Sequence, residues 1–187
     1  DPNPVRMEQY QKLITNDWKC SPAEMFGADQ FDEMLRKTKP QTVIVCTADN
    51  LHADYICRSF YAGCDVIVEK PIATTSEQCR EIMSAARKTG RHIQVSFNCR
   101  FIPWAVMIKK LIMQGAIGEI ISAFVEWRLD ARKGVTYFAR WHAEKEKSGG
   151  LMVHKASHYL DLVNWWLEDV SVTVYGMGRR AFFGAEN

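Results

Sequence analysis

Apolar residues along the first hundred positions follow two alternating rhythms. Three short runs, Thr42 to Cys46 (TVIVC), Asp65 to Val68 (DVIV) and His92 to Phe97 (HIQVSF), read as buried strands. They are β-branched and too short for helices. Between and before them, apolar residues recur at helical spacing. Ala28 to Lys37 carries Phe31, Met34 and Leu35 at i, i+3 and i+4. Leu51 to Ala62 follows a polar turn, and a helix opening at Thr75-Ser76-Glu77 turns Cys79, Ile82, Met83 and Ala86 inward. Gly63 and Gly90 close these two helices in the manner of left-handed cap residues. A further helix is expected from about Val5 to Ile14, and a short strand near Met25. Strand and helix in strict succession predict a parallel sheet with crossover helices.

After Asn98 the rhythm changes. Ile102 to Gln114 is an amphipathic helix that Gly115 and Gly118 end. Glu119 to Leu129 (EIISAFVEWRL) alternates over a longer run, as in an open antiparallel sheet with one covered face. Val170 to Tyr175 and Arg179 to Phe183 are expected to add strands. Asp130 to Lys147 is charged and aromatic, a loop with a short helix around Phe138 to Glu144, and a helix runs from about Leu151 to Leu167. No internal repeat or heptad series interrupts this plan.

Composition narrows the classes of function. The 187 residues carry 24 basic and 22 acidic side chains, a net charge of +2 that gives nucleic acid or an anionic membrane nothing to hold. No apolar run reaches bilayer length. None of the six cysteines forms a C-x-x-C pair, and they read as small buried hydrophobes of a reducing compartment. A cytoplasmic location is expected, with the periplasm left open because the chain starts at Asp1 and a removed leader is compatible with that.

Chemistry gathers at strand ends. The second strand stops on Glu69-Lys70-Pro71; the proline holds Lys70 on a bent, extended backbone and admits a cis peptide. Thr47 to His52 follows the first strand, and Asn98 to Arg100 follows the third. In an open parallel sheet, ligands bind outside the carboxyl ends of the strands, so these three loops are expected along one crevice. The Leu151–Leu167 helix carries His154, His158 and Asp161 at spacings that share one face. That face suits general acid–base chemistry, a metal site or a simple solvated surface. No additional ligand is evident, and His154-x-x-x-His158 lacks the glutamate of the metalloprotease motif, so no metal is expected. Tyr137 to His142 combines aromatic and charged groups and is a candidate substrate loop, whereas Trp165 and Trp166 read as core.

Taken together the motifs resemble the Gfo/Idh/MocA family, the relatives of glucose–fructose oxidoreductase and inositol dehydrogenase. The likeness rests on Glu69-Lys70-Pro71 after Ala62-Gly63, Thr47 to His52, Val95 to Phe101, Gly115 to Ile120, and Gly149-Gly150 followed by His158-x-x-Asp161-Leu162. It implies an α/β protein: an incomplete Rossmann-type parallel sheet over residues 1–98, then part of an α/β domain with an open, mainly antiparallel sheet over residues 99–187 that makes homo-oligomer contacts. It implies an NAD(P)-dependent oxidoreductase acting on a sugar, cyclitol or related polyol, with NAD favoured over NADP because Asp1 fits the acid that holds the ribose hydroxyls. An NAD-dependent glycoside hydrolase working by transient oxidation and elimination, or a non-catalytic sugar- or nucleotide-sensing relative, are the alternatives.

The resemblance also implies residue roles. Lys70, His158 and His154 are the expected catalytic groups, Lys70 and His158 meeting across one groove. Cofactor contacts fall to Asp1, Arg6, Thr47, Ala48, Asn50 and His52 on one side, and to Glu69, Lys70, Pro71 and Asn98 on the other. Substrate contacts fall to Arg100 and Trp141, together with Lys70, His154 and His158. The sequence departs from the family pattern in having His154 where an aspartate stands four residues before the histidine, Ala156 in place of a glycine, and Ala48 in place of a proline. It contains no G-x-G-x-x-G, so a central piece of a longer oxidoreductase is expected.

Overall fold

The structure, a computed structural model, describes residues 1–179 apart from the side chains of Ala131, Lys133, Gly134 and Thr136. In chain order its helices and strands are α1 (Pro4–Lys12), α2 (Phe31–Thr38), β1 (Thr42–Val45), α3 (His52–Tyr61), β2 (Asp65–Glu69), α4 (Ser76–Thr89), β3 (Ile93–Ser96), α5 (Pro103–Met113), α6 (Ala131–Ala139), α7 (Lys145–Ser148) and α8 (Ser157–Leu167). They form two compact units, residues 1–96 with 129–157, and residues 97–128 with the described part of 158–187.

The first unit is built on a parallel sheet in the order β1-β2-β3. Val43 lies opposite Val66, and Val68 opposite Val95. Strand side chains alternate between faces, so Val43, Val45, Val66 and Val68 share one side and are buried with Ile56 and Phe60 of α3 and Ile82 of α4. Local signals end the helices. Thr75 accepts a hydrogen bond from the Gln78 amide at 3.2 Å to open α4, and Gly90, at φ +67°, closes it in a conformation that a Cβ would disfavour. At the end of α2 Lys39 itself adopts φ 45°, and Pro40 blocks further helix.

Three expectations change here. The first helix gives way to a π turn at Leu13–Asp17, and the segment around Met25 forms no strand. Cys20 and Cys46 are exposed rather than buried. Cys57 is buried, which pushes its thiol up to about 11, so it stays protonated and packs as a small hydrophobe.

In the second unit Ala105 of α5 and Leu162 of α8 are both buried. The Trp166 indole donates to the Ala105 carbonyl at 3.0 Å, and Lys109 Nζ donates to the Trp165 carbonyl at 2.8 Å. Trp166 is thus a packing residue with its one polar atom satisfied. Trp127 stacks on Tyr159 with ring centroids 4.2 Å apart.

The antiparallel strands expected over Glu119–Leu129 and Val170–Tyr175 are not formed among the described residues. Alternation supplies an apolar face, but an extended segment becomes a strand only when a neighbour takes its amides and carbonyls. Here Ile121 is 95% exposed and Val172 97%. The strand expected over Arg179–Phe183 falls almost wholly outside the described residues. No described helix is long and apolar enough to cross a membrane.

Candidate active site

The turns at the carboxyl ends of β1 and β2 are tied together by His52. Its ring is completely buried, with Nδ1 2.7 Å from the Pro71 carbonyl and Nε2 3.2 Å from the Thr47 carbonyl. Both partners accept only, so a neutral ring donates to one of them, and the shorter contact makes that Pro71. The Lys70–Pro71 peptide is cis, as the sequence admitted, and Pro71 is buried. The His52 ring, expected from sequence to contact cofactor, bridges the turns on which Thr47 and Lys70-Pro71 lie.

Lys70 Nζ donates to the His154 carbonyl at 2.8 Å and lies 3.3 Å from His154 Nε2. The other nitrogen of that ring, Nδ1, is 2.5 Å from Asp49 Oδ2, in the 3-10 turn that follows β1. Asp49 and His154 are 3% and 8% exposed. His154 does not sit in a continuous α-helix: residues Met152–Ala156 make a π turn, and α8 begins at Ser157.

Aromatic and imidazole rings surround His154. His142 lies 4.7 Å from it by ring centroids, Tyr137 5.4 Å and Trp141 5.9 Å, and Trp141 stacks on His142 at 3.8 Å. The Ser148-Gly149-Gly150 knuckle sets this arrangement. Buried Ser148 Oγ donates to the His142 carbonyl at 2.8 Å and accepts from the Gly150 amide at 3.1 Å. Gly149 has φ +71°, and a Cβ there would come within 2.9 Å of the Val153 side chain. Only glycine fits both conditions.

Burial holds His142 below its ordinary value of 6.5, with the fields of His154, Lys70 and Arg140 acting the same way and Asp49 opposing them. Its Nδ1 is buried with no hydrogen-bond partner among the described residues. The folded state therefore keeps this ring neutral where the unfolded chain takes up a proton. Stability is fully present above about pH 6.5 and is lost as pH falls from there through the depressed folded value. A His142→Gln variant is expected to lose less stability than the parent between pH 7.5 and 5, read from urea midpoints; equal losses would refute the assignment.

The remaining expected site residues divide as follows. Asp1 Oδ1 accepts from the Asn3 amide at 2.8 Å, and its Oδ2 pairs with Arg6 at 3.3 Å. Thr47 and Ala48 lie half-buried in the turn after β1, where the Asn50 carbonyl accepts from Gln78 at 3.0 Å. Glu69 is exposed. Asn98, Arg100 and His158 belong to the second unit. There Arg100 grips Asp161 in a two-pronged ion pair at 2.7 and 2.5 Å, and buried His158 meets the edge of Phe97. His154 takes Asp49 as its carboxylate, and Asp161 takes Arg100.

Residues 3–97 match the oxidoreductase family described as an NAD-binding Rossmann fold, and residues 109–185 match its C-terminal alpha/beta domain. The chain belongs to the Gfo/Idh/MocA oxidoreductase family. A Bacillus subtilis relative, YteT, is 40% identical over 162 residues, covering 87% of this chain and 38% of its own length. D-glucoside 3-dehydrogenase of Escherichia coli is 32% identical over 143 residues, covering 74% of this chain and 40% of the relative. The WlbA dehydrogenase of Bordetella pertussis, solved in complex with NADH and UDP-GlcNAcA, matches with a TM-score of 0.69 and 27% identity over 89% of this chain and 46% of that one. The chain thus spans about two fifths of the length of these curated relatives.

Sequence reasoning missed Asp49, His142 and Tyr137 as members of this cluster, although Tyr137 and His142 lie inside the loop it singled out. Asp49 sits in the same turn as the candidates Thr47, Ala48, Asn50 and His52, and its burial marks it out.

Proposed function

We propose that this chain carries the acid–base half of an NAD-dependent oxidoreductase that oxidises a secondary hydroxyl of a sugar, cyclitol or related polyol. The observation that carries the reading is Lys70: an amine at the carboxyl end of a central parallel strand, held by the His154 carbonyl at 2.8 Å beside a buried imidazole–carboxylate pair. An alcohol releases hydride readily only as its hydroxyl proton leaves, and a lysine in its neutral form takes that proton. Tyr137 and Trp141 offer aromatic faces suited to the C–H surface of a sugar ring. His158 enters as a second acid–base group through its match to the family's histidine, and Arg100 as a substrate contact on the same ground.

The donor set suits a dinucleotide. Asp1 presents a carboxylate able to accept from ribose hydroxyls, which disfavours a 2′-phosphate, and Arg6 beside it steadies that carboxylate at 3.3 Å. Thr47, Ala48, Asn50, Glu69, Pro71 and Asn98 would supply the further contacts, from turns after the strands. When bound, the nicotinamide supplies the hydride acceptor. Homo-oligomer contacts through the second domain belong to the same proposal, on the strength of the family resemblance.

The test uses the full-length protein with NAD or NADP and a panel of sugars, cyclitols and aryl glycosides. Stoichiometric NADH formation with a polyol is the expected result. Glycoside cleavage with NAD turning over catalytically would replace the reading with elimination chemistry, and bound NAD without redox change on any compound would overturn it.

A further inference from the structure

A neutral imidazole carries one proton, and its neighbours decide which nitrogen holds it. An ionised carboxylate only accepts, so Asp49 Oδ2, 2.5 Å from His154 Nδ1, fixes the proton on Nδ1. Nε2 is then left with a lone pair, and that lone pair faces Lys70 Nζ at 3.3 Å. Carboxylate, imidazole and amine thus stand in series, drawn from the turn after β1, the π turn at Met152–Ala156 and the turn after β2. Asp49 and His154 are separated by 105 positions in the chain.

We propose that Asp49 and His154 are the proton acceptor of Lys70, so that Lys70 meets substrate as a neutral amine. The step is a single proton transfer. An N–H bond of the Lys70 ammonium breaks, an N–H bond forms at His154 Nε2, and the neutral Nζ takes the substrate hydroxyl proton. No electrons leave or enter these three groups. Asp49 makes the step feasible because its negative charge offsets the imidazolium that forms. Without it, a new cation would stand in a nearly water-free place beside His142 and Tyr137, where an unpaired charge is costly. Asp49 acts through His154 and is a positioning residue. This inference rests on the reading of Lys70 as the base.

Two measurements test it on the full-length protein. Nitrogen-15 histidine spectra without cofactor, with His154 assigned by its loss in a His154→Gln variant, should show the Nδ1–H tautomer in the parent. With NAD and a substrate that the parent turns over, Asp49→Asn should lower kcat about 10²- to 10⁴-fold with KM changed far less, and Asp49→Glu, which keeps the carboxylate, should recover at least part of the loss. An Nε2–H tautomer in the parent would overturn the proposal even if neither Asp49 variant folds. Unchanged kcat in Asp49→Asn would overturn it as well. Absence of turnover by the parent on every polyol sinks the functional reading of Lys70 instead, and the tautomer still decides whether Asp49 orients His154.

Discussion

Lys70→Met lowers turnover by about 10³-fold or more while the protein still folds and melts cooperatively. Methionine keeps an unbranched stem of similar reach but offers no proton acceptor, so a loss near the upper part of the range for general acid–base catalysis is expected. The structural consequence is modest: the His154 carbonyl loses the donor it holds at 2.8 Å, worth about 1 kcal/mol. Steady-state rates on any polyol that the parent oxidises, set beside thermal melts, separate the two effects. Turnover equal to the parent's would remove Lys70 from the mechanism and leave only a family assignment.

His52→Leu is expected to cost about 2–3 kcal/mol of stability, read as a lower urea midpoint at unchanged m. Leucine fills much of the space but offers no donor, so the Pro71 carbonyl, now 2.7 Å from Nδ1, is left buried and unpaired. The Thr47 carbonyl loses its ring contact at 3.2 Å as well. Because the ring bridges the turns that present Lys70 and Asp49, turnover should fall together with stability. Weakened NAD binding with no loss of stability would instead mean that the ring touches cofactor.

The first unit was legible in the chain because its signals are local. TVIVC, DVIV and HIQVSF each lie within a residue of an observed strand, since β-branched runs between turn residues have few alternatives. Gly63 and Gly90 were identified as caps, and both adopt positive φ. The bend at Lys70-Pro71 was legible for the same reason. The second half was read less well. The alternation in EIISAFVEWRL specifies which side chains share a face, but a ladder needs a second segment, and no spacing within one run supplies that.

The candidate site divides along the same line. Lys70 at the end of a strand, His154 on its helical segment and the aromatic loop at Tyr137–His142 are properties of sequence neighbours. The carboxylate partner of His154 is not. Spacing placed Asp161 on the same helical face, whereas the folded chain pairs His154 with Asp49 and Asp161 with Arg100. The π turn at Met152–Ala156 was equally hidden, because nothing in its composition distinguishes it from α-helix. By itself, the sequence determined the family, the parallel-sheet half and the amine at position 70, all of which depend on residues close together in the chain. Only the tertiary structure decided which acid orients which imidazole, because hydrogen bonds between buried groups are chosen by proximity in space.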